Sequence, residues 1–204
     1  MFGKIAADAL GLSDIGRVVD PSDYDKVESD DYILNEDNEK IYFLIKSKSD
    51  EYCFTNLALI HLDGTSAMSK KRALKRFDYK TFPLKNVWLE TAGTVDLDIE
   101  IKFVIGEIDY SIDVDKKQLE KLKDLYKALT KIASIQSDNK RRLEFAEGSV
   151  ETAVRSVSGG MKEGTNLAEE FSRINEAAYN WRCSRYDELV RKDFGEVFDH
   201  YIMH

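Results

Sequence analysis

The sequence predicts an α+β fold: an antiparallel seven-stranded barrel or sandwich closed by a helix, followed by an α-helical hairpin. Three observations predict it. From Glu90 to Gly106, Val95, Leu97, Ile99, Ile101, Phe103 and Ile105 alternate with Asp96, Asp98, Glu100 and Lys102, the two-residue period of a half-buried strand. Short apolar segments of strand length, separated by turn residues, fill the chain from Ile41 to Val114. After Asp115 the apolar spacing changes to steps of three and four and keeps that helical period almost to the end.

Taken in order, Met1 to Leu12 places Phe2, Ile5, Ala6, Ala9 and Leu10 at helical spacing, with no net basic face to favour a membrane surface over packing. Residues 13–40 are acidic and irregular; Pro21-Ser22-Asp23 reads as the start of a short helix inside a solvated connector. Strands are expected over Ile41–Ile45, Tyr52–Thr55, Leu57–Leu62, Leu74–Tyr79, Leu84–Glu90, Val95–Ile105 and Ile108–Val114. Ala92-Gly93 and Gly106-Glu107 suit tight hairpins, the first setting Trp88 opposite Leu97 and Lys85 opposite Glu100. Asp115-Lys116-Lys117-Gln118 has capping-box spacing and opens a helix with Leu119, Leu122, Leu125, Tyr126, Leu129 and Ile132 on one face. The domain boundary then falls at residue 137, giving a barrel domain over 1–137 and a helical hairpin over 138–204. In the hairpin, Leu143, Ala146, Val150, Ala153, Val154 and Val157 form one stripe, which Ser158-Gly159-Gly160 interrupts. Leu167, Phe171, Ile174, Ala178 and Trp181 form a second, at coiled-coil spacing. Two helices enclose too little interior to bury such stripes, so they are expected to pack on the barrel, on another copy, or on both. Phe194 and Phe198, in a short terminal helix, are expected to extend that contact surface.

Composition narrows the function. A formal net charge of -8 disfavours nucleic acid as a partner. The two cysteines, Cys53 and Cys183, sit in unlike settings and form no disulfide framework, which fits a reducing cytoplasm. No apolar run approaches the roughly 20 residues of a membrane-spanning helix.

Two stretches carry a family resemblance: Phe54 to Gly64, FTNLALIHLDG, and Glu90 to Glu100, ETAGTVDLDIE. With the strand count and the closing helix, they resemble the bacterial pleckstrin-homology (PH) family over roughly the first two thirds of the chain. The rest, ending in Lys192 to Phe198, KDFGEVF, resembles the helical oligomerisation extension behind some members. The resemblance implies a PH-like barrel, a homo-oligomer and no established activity. Where family members carry a short glycine-containing hairpin, this chain has the longer, basic TSAMSKKRALKRFDYKTF from Thr65 to Phe82.

That segment supplies one candidate site. Lys70, Lys71, Arg72, Lys75 and Arg76 can grip a phosphate headgroup or an acidic membrane, peripherally at the inner membrane face. The competing reading pairs them with the acidic connector or with the Asp96, Asp98, Glu100 face. Those three carboxylates splay along a flat strand and read as a solvated face rather than a cation cage. His61 sits alone in an apolar strand, and His200 and His204 lack a third ligand, so no metal or other cofactor is expected. Asp193-Phe194-Gly195 repeats a kinase magnesium motif without its companions, and no nucleophile has a base partner. The expectation is a non-catalytic oligomeric scaffold or binding protein.

Overall fold

The computed structural model describes residues 15–64, 72–91, 98–159 and 166–202. Among these described residues, eight strands form two antiparallel sheets. The first holds β1 (Arg17–Val18), β2 (Ile41–Lys46), β3 (Glu51–Thr55), β4 (Ala58–Gly64) and β5 (Arg72–Asp78) in sequence order. The second holds β6 (Lys85–Glu90), β7 (Asp98–Ile105) and β8 (Ile108–Asp115). A bridge joins them on one side, where Gly16 N–H donates to the Asp113 carbonyl at 2.8 Å and Asp115 N–H to the Gly16 carbonyl at 3.1 Å. The result is a sandwich of two sheets rather than a closed barrel. β1 has no counterpart in the sequence reading, because two residues inside an acidic tract carry no period.

β7 realises the alternation: Ile99, Ile101, Phe103 and Ile105 are buried while the residues between them are half-exposed. The Val95 and Leu97 end of that pattern, and the proposed Ala92-Gly93 turn, lie outside the described residues. Pairing across β6 and β7 corrects the expected register. Trp88 faces Lys102 and Lys85 faces Val104, and a bulge with Asn86 at φ 50° shifts the pairing between these two positions. By contrast Gly106 and Glu107, at φ 58° and 67°, do form the two-residue turn into β8; two consecutive left-handed residues are what a type I′ hairpin demands.

The acidic segment is not a solvated connector. Short 3₁₀ turns at Pro21–Lys26, Glu28–Tyr32 and Asn35–Asp37 bring Tyr24, Val27 and Ile33 onto Leu44, Cys53 and Ile60, covering the first sheet from outside. This second layer explains why Ala58 to Leu62 is buried on both faces and reads as a continuous apolar run. Buried carboxylates tie the layer down. Glu51 accepts from Ser29 N–H at 2.9 Å and pairs with Lys46; Glu39 accepts from Leu34 N–H at 2.8 Å and the Thr55 hydroxyl at 2.6 Å.

Three helices follow: α1 (Leu119–Gly159), α2 (Leu167–Leu189) and α3 (Gly195–Ile202). Asp115 caps the start, accepting from Lys117 N–H at 2.9 Å. Gln118 does not reach back as a capping box would; its amide brackets Val18, accepting from Val18 N–H at 2.7 Å and donating to the Val18 carbonyl at 3.2 Å. Leu122, Leu125, Ala128, Leu129 and Ile132 are fully buried.

The chain forms two compact units. One contains the sheets, the start of α1 up to Ala133 and the chain from Lys192 onward; the other is Ser134–Arg191. The expected boundary at 137 falls inside the continuous helix α1, and the terminal helix α3 belongs to the first unit rather than to the hairpin. There the Phe198 ring stacks on Tyr42 at 5.3 Å, the Phe194 ring meets Tyr79 edge-on at 5.8 Å, and Phe194 N–H donates to the Asn56 carbonyl at 2.9 Å.

Candidate functional site

Unit 134–191 is a helix pair in which Val150 and Val154 of α1 and Ile174 and Ala178 of α2 line both of two grooves and mark the seam between them. A groove flanks the seam on each side. One, of about 470 Å³, is lined by Phe171, Asn175, Tyr179 and Arg182 of α2 and Glu151, Arg155 and Ser158 of α1. The other, of about 360 Å³, is nearly all apolar, with Ala153 and Val157 facing Ala177 and Trp181. Large side chains stay in solvent: Phe145 is 70% exposed, Phe171 69% and Tyr179 66%. A soluble chain rarely leaves so many aromatics uncovered on one small unit.

Of the residues singled out for assembly, Phe171, Ile174, Ala178 and Trp181 line these grooves. The side chain of Leu167 lies outside the described residues. Phe194 and Phe198 are corrected: both are fully buried within the first unit and offer no surface to a second chain. Phe145 and Tyr179 went unnoticed in the sequence. Tyr179 is one residue after the seam position Ala178, and only the observed seam shows that this offset points it into a groove.

The basic strand is neutralised where it is described. Arg72 pairs with Glu28 at 3.2 Å, Lys75 with Asp63 at 2.6 Å, and Arg76 with Glu39 at 3.0 Å and Asp78 at 2.8 Å. Two of these partners come from the acidic 3₁₀ layer. Burial tends to lower the Arg76 pKa, but Glu39 and Asp78 outweigh it and hold it above its usual value. Lys70 and Lys71 lie outside the described residues.

The carboxylate face of the second sheet is broader than one strand, since Asp98 lies opposite Asp115 and Glu100 opposite Asp113. Partial burial, then Glu100 and Asp98, push the Asp113 carboxyl above its usual range. Lys102 bridges Glu90 at 3.0 Å and Glu100 at 2.9 Å. Asp96 lies outside the described residues. Asp193 also has a structural partner set, accepting from the Asn56 amide and from Gly195 N–H, each at 2.7 Å, at the start of α3.

His61 is not alone. Its Nε2 is 3.2 Å from Asp50 Oδ1, its Nδ1 is 3.2 Å from the Tyr110 hydroxyl, and its ring stacks on Tyr52 at 4.4 Å. One ligand atom each from Asp50, His61 and Asp63 lies within 4.8 Å of the others. Burial raises the Asp50 pKa, but hydrogen bonds from His61, Ser49 and Gly64 N–H more than offset it and hold the carboxyl low. Sequence reasoning missed this cluster. The His-x-Asp spacing of residues 61 and 63 was its one legible part, because alternate strand residues share a face. Asp50 joins only through the β3–β4 register, in which Glu51 faces Leu62.

Two antiparallel sheets packed as a sandwich, with one amphipathic helix closing the unit, define a PH-like domain. The chain belongs to the bacterial PH domain family, whose model matches residues 9–133, and residues 144–203 match a YvbH-like oligomerisation region. It is 54% identical over 202 residues to YvbH of Bacillus subtilis strain 168, covering 99% of each chain. The crystal structure of a PH domain-containing protein from Exiguobacterium sibiricum 255-15 is similar, with 52% identity and a TM-score of 0.82 over 92% of this chain and 99% of that one. Among the described residues no helix is long and apolar enough to cross a membrane.

Proposed function

We propose that this protein is a non-catalytic, cytoplasmic scaffold that assembles with copies of itself through unit 134–191 and presents its PH-like domains to other proteins. The observation that carries the reading is the run of uncovered aromatics and apolar grooves along α1 and α2. It coincides with the segment that matches an oligomerisation region. Phe171, Tyr179 and Trp181 are the anchors, since large aromatics in a closed contact dominate binding energy. The other reading, a phosphate headgroup or anionic membrane held by the basic strand, draws less support. Arg72, Lys75 and Arg76 each already face a carboxylate, which an anion would have to displace.

Light scattering on the eluting full-length protein tests this. The wild type should run at a multiple of 23.4 kDa. The double variant Phe171→Glu/Trp181→Glu should run as a monomer with an unchanged circular dichroism spectrum, because both side chains are already partly in solvent. A monomeric wild type overturns the proposal, as does a double variant of undiminished mass.

A further inference from the structure

Asp50, His61 and Asp63 lie within the first unit, remote in sequence from the assembly helices, and have no part in the proposed self-association. They come from the turn before β3 and from β4. The β3–β4 register continues outward to set position 50 across from position 63. Gly64 makes this approach possible: a Cβ there would lie 2.4 Å from the Ser49 carbonyl oxygen, so any side chain would push the Asp50 turn away from the strand.

The imidazole is built as a ligand is built. It is buried between Tyr52 and Tyr110; without a metal Nε2–H can donate to Asp50, and in the other tautomer the Tyr110 hydroxyl, 3.2 Å from Nδ1, accepts the hydrogen bond instead and leaves the Nε2 lone pair for a metal beside Asp50. Metal-bound histidines are held in this way through the second nitrogen. Two carboxylates in one half-buried pocket leave an excess of negative charge. The only cation facing them among the described residues is Lys75, which lies opposite His61 in the β4–β5 pairing and reaches Asp63 at 2.6 Å. Asp63 is itself only partly covered, so solvent ligands have access.

We propose that Asp50, His61 and Asp63 form a binding site for a divalent transition-metal ion of the zinc or manganese type, with Lys75 as the competing cation when the metal is absent. One imidazole and two carboxylates give a mixed nitrogen and oxygen set that borderline zinc accepts and that the carboxylates make available to the harder manganese, and three protein ligands leave coordination positions for water. Binding transfers Asp63 from Lys75 to the metal and frees the lysine at the strand surface. The site therefore couples metal occupancy to the charge that the basic strand displays.

The test is calorimetric titration of full-length protein, stripped with chelator, with zinc or manganese chloride alone. The wild type should bind one ion per chain. Asp63→Asn should weaken binding by about tenfold or more, and Lys75→Gln should tighten it, because the competing cation is gone. No binding by the wild type, equal affinity in Asp63→Asn, or unchanged or weaker affinity in Lys75→Gln overturns the proposal. A second readout covers a variant that folds poorly: at the same concentration zinc should raise the melting temperature of the wild type more than that of Asp63→Asn, and an equal rise in both overturns the proposal.

Discussion

Glu51 and Asp113 are strand carboxylates with opposite effects on stability. Burial alone would raise the Glu51 pKa, yet Lys46 and the Ser29 N–H reverse this and hold it low, so the ionised form stabilises the fold at neutral pH. Asp113 is held high by burial and by the neighbouring Glu100 and Asp98. The sign follows from linkage: a carboxyl whose folded pKa exceeds its unfolded value favours the fold when protonated and opposes it when ionised. Asp113→Asn should therefore stabilise the protein at pH 7, by about 0.5 kcal/mol for one relieved like-charge pair across a sheet. The gain should shrink as the pH falls towards the acid range, where the wild-type carboxyl takes up a proton. Chemical denaturation of both proteins at pH 7 and pH 4.5 measures it; a gain that grows on acidification would contradict the assignment. At this scale the sequence was half-legible. Alternation identified the wet face of β7, but the facing Asp113 and Asp115 required the β7–β8 register.

Among the elements, α3 shows most clearly where pattern reading reaches its limit. Phe194, Val197, Phe198 and Tyr201 announce an amphipathic helix, and one forms. Periodicity says that a face is apolar; it does not say what covers it. Here the cover is Tyr42 and Tyr79 of the first unit, fixed by the Asn56–Asp193 hydrogen bond 137 residues apart in sequence. Phe198→Ala should therefore cost about 3 to 5 kcal/mol in urea unfolding, the usual penalty for emptying a buried phenylalanine site. A loss below 1 kcal/mol would mean that the ring is not core. The 3₁₀ layer makes the same point in reverse. Its acidic composition suggested solvent, while Tyr24, Val27 and Ile33, too sparse to form a period, carry its buried face.

For the whole molecule, the fold class and the apolar stripes of the helix pair were legible from residue spacing, while the boundary between units was not. The polar run from Gln136 to Arg142 interrupts the apolar spacing and suggested a boundary at 137, but α1 continues through it as one helix and the units divide earlier, at Ala133. The practical consequence concerns truncation. A chain ended near residue 137 would lose Phe194 and Phe198 from its core, and a change in its mass would report unfolding as readily as lost assembly; point substitutions on α2 avoid this. The route of the chain has another effect, since it leaves the first unit after Ala133 and re-enters it at Lys192. A single proteolytic cut between Gly159 and Asn166 should thus give two bands on a denaturing gel and one particle in gel filtration, with the carboxy-terminal piece retained by α3. Separation of the pieces under native conditions would show that the docking of α3 is too weak to hold them. Covalent continuity between α1 and α2 then becomes dispensable once folding is complete, and residues 134–191 are, in chain order, an insertion whose two flanking segments belong to one folded unit, so that unit can keep both pieces of a cut chain.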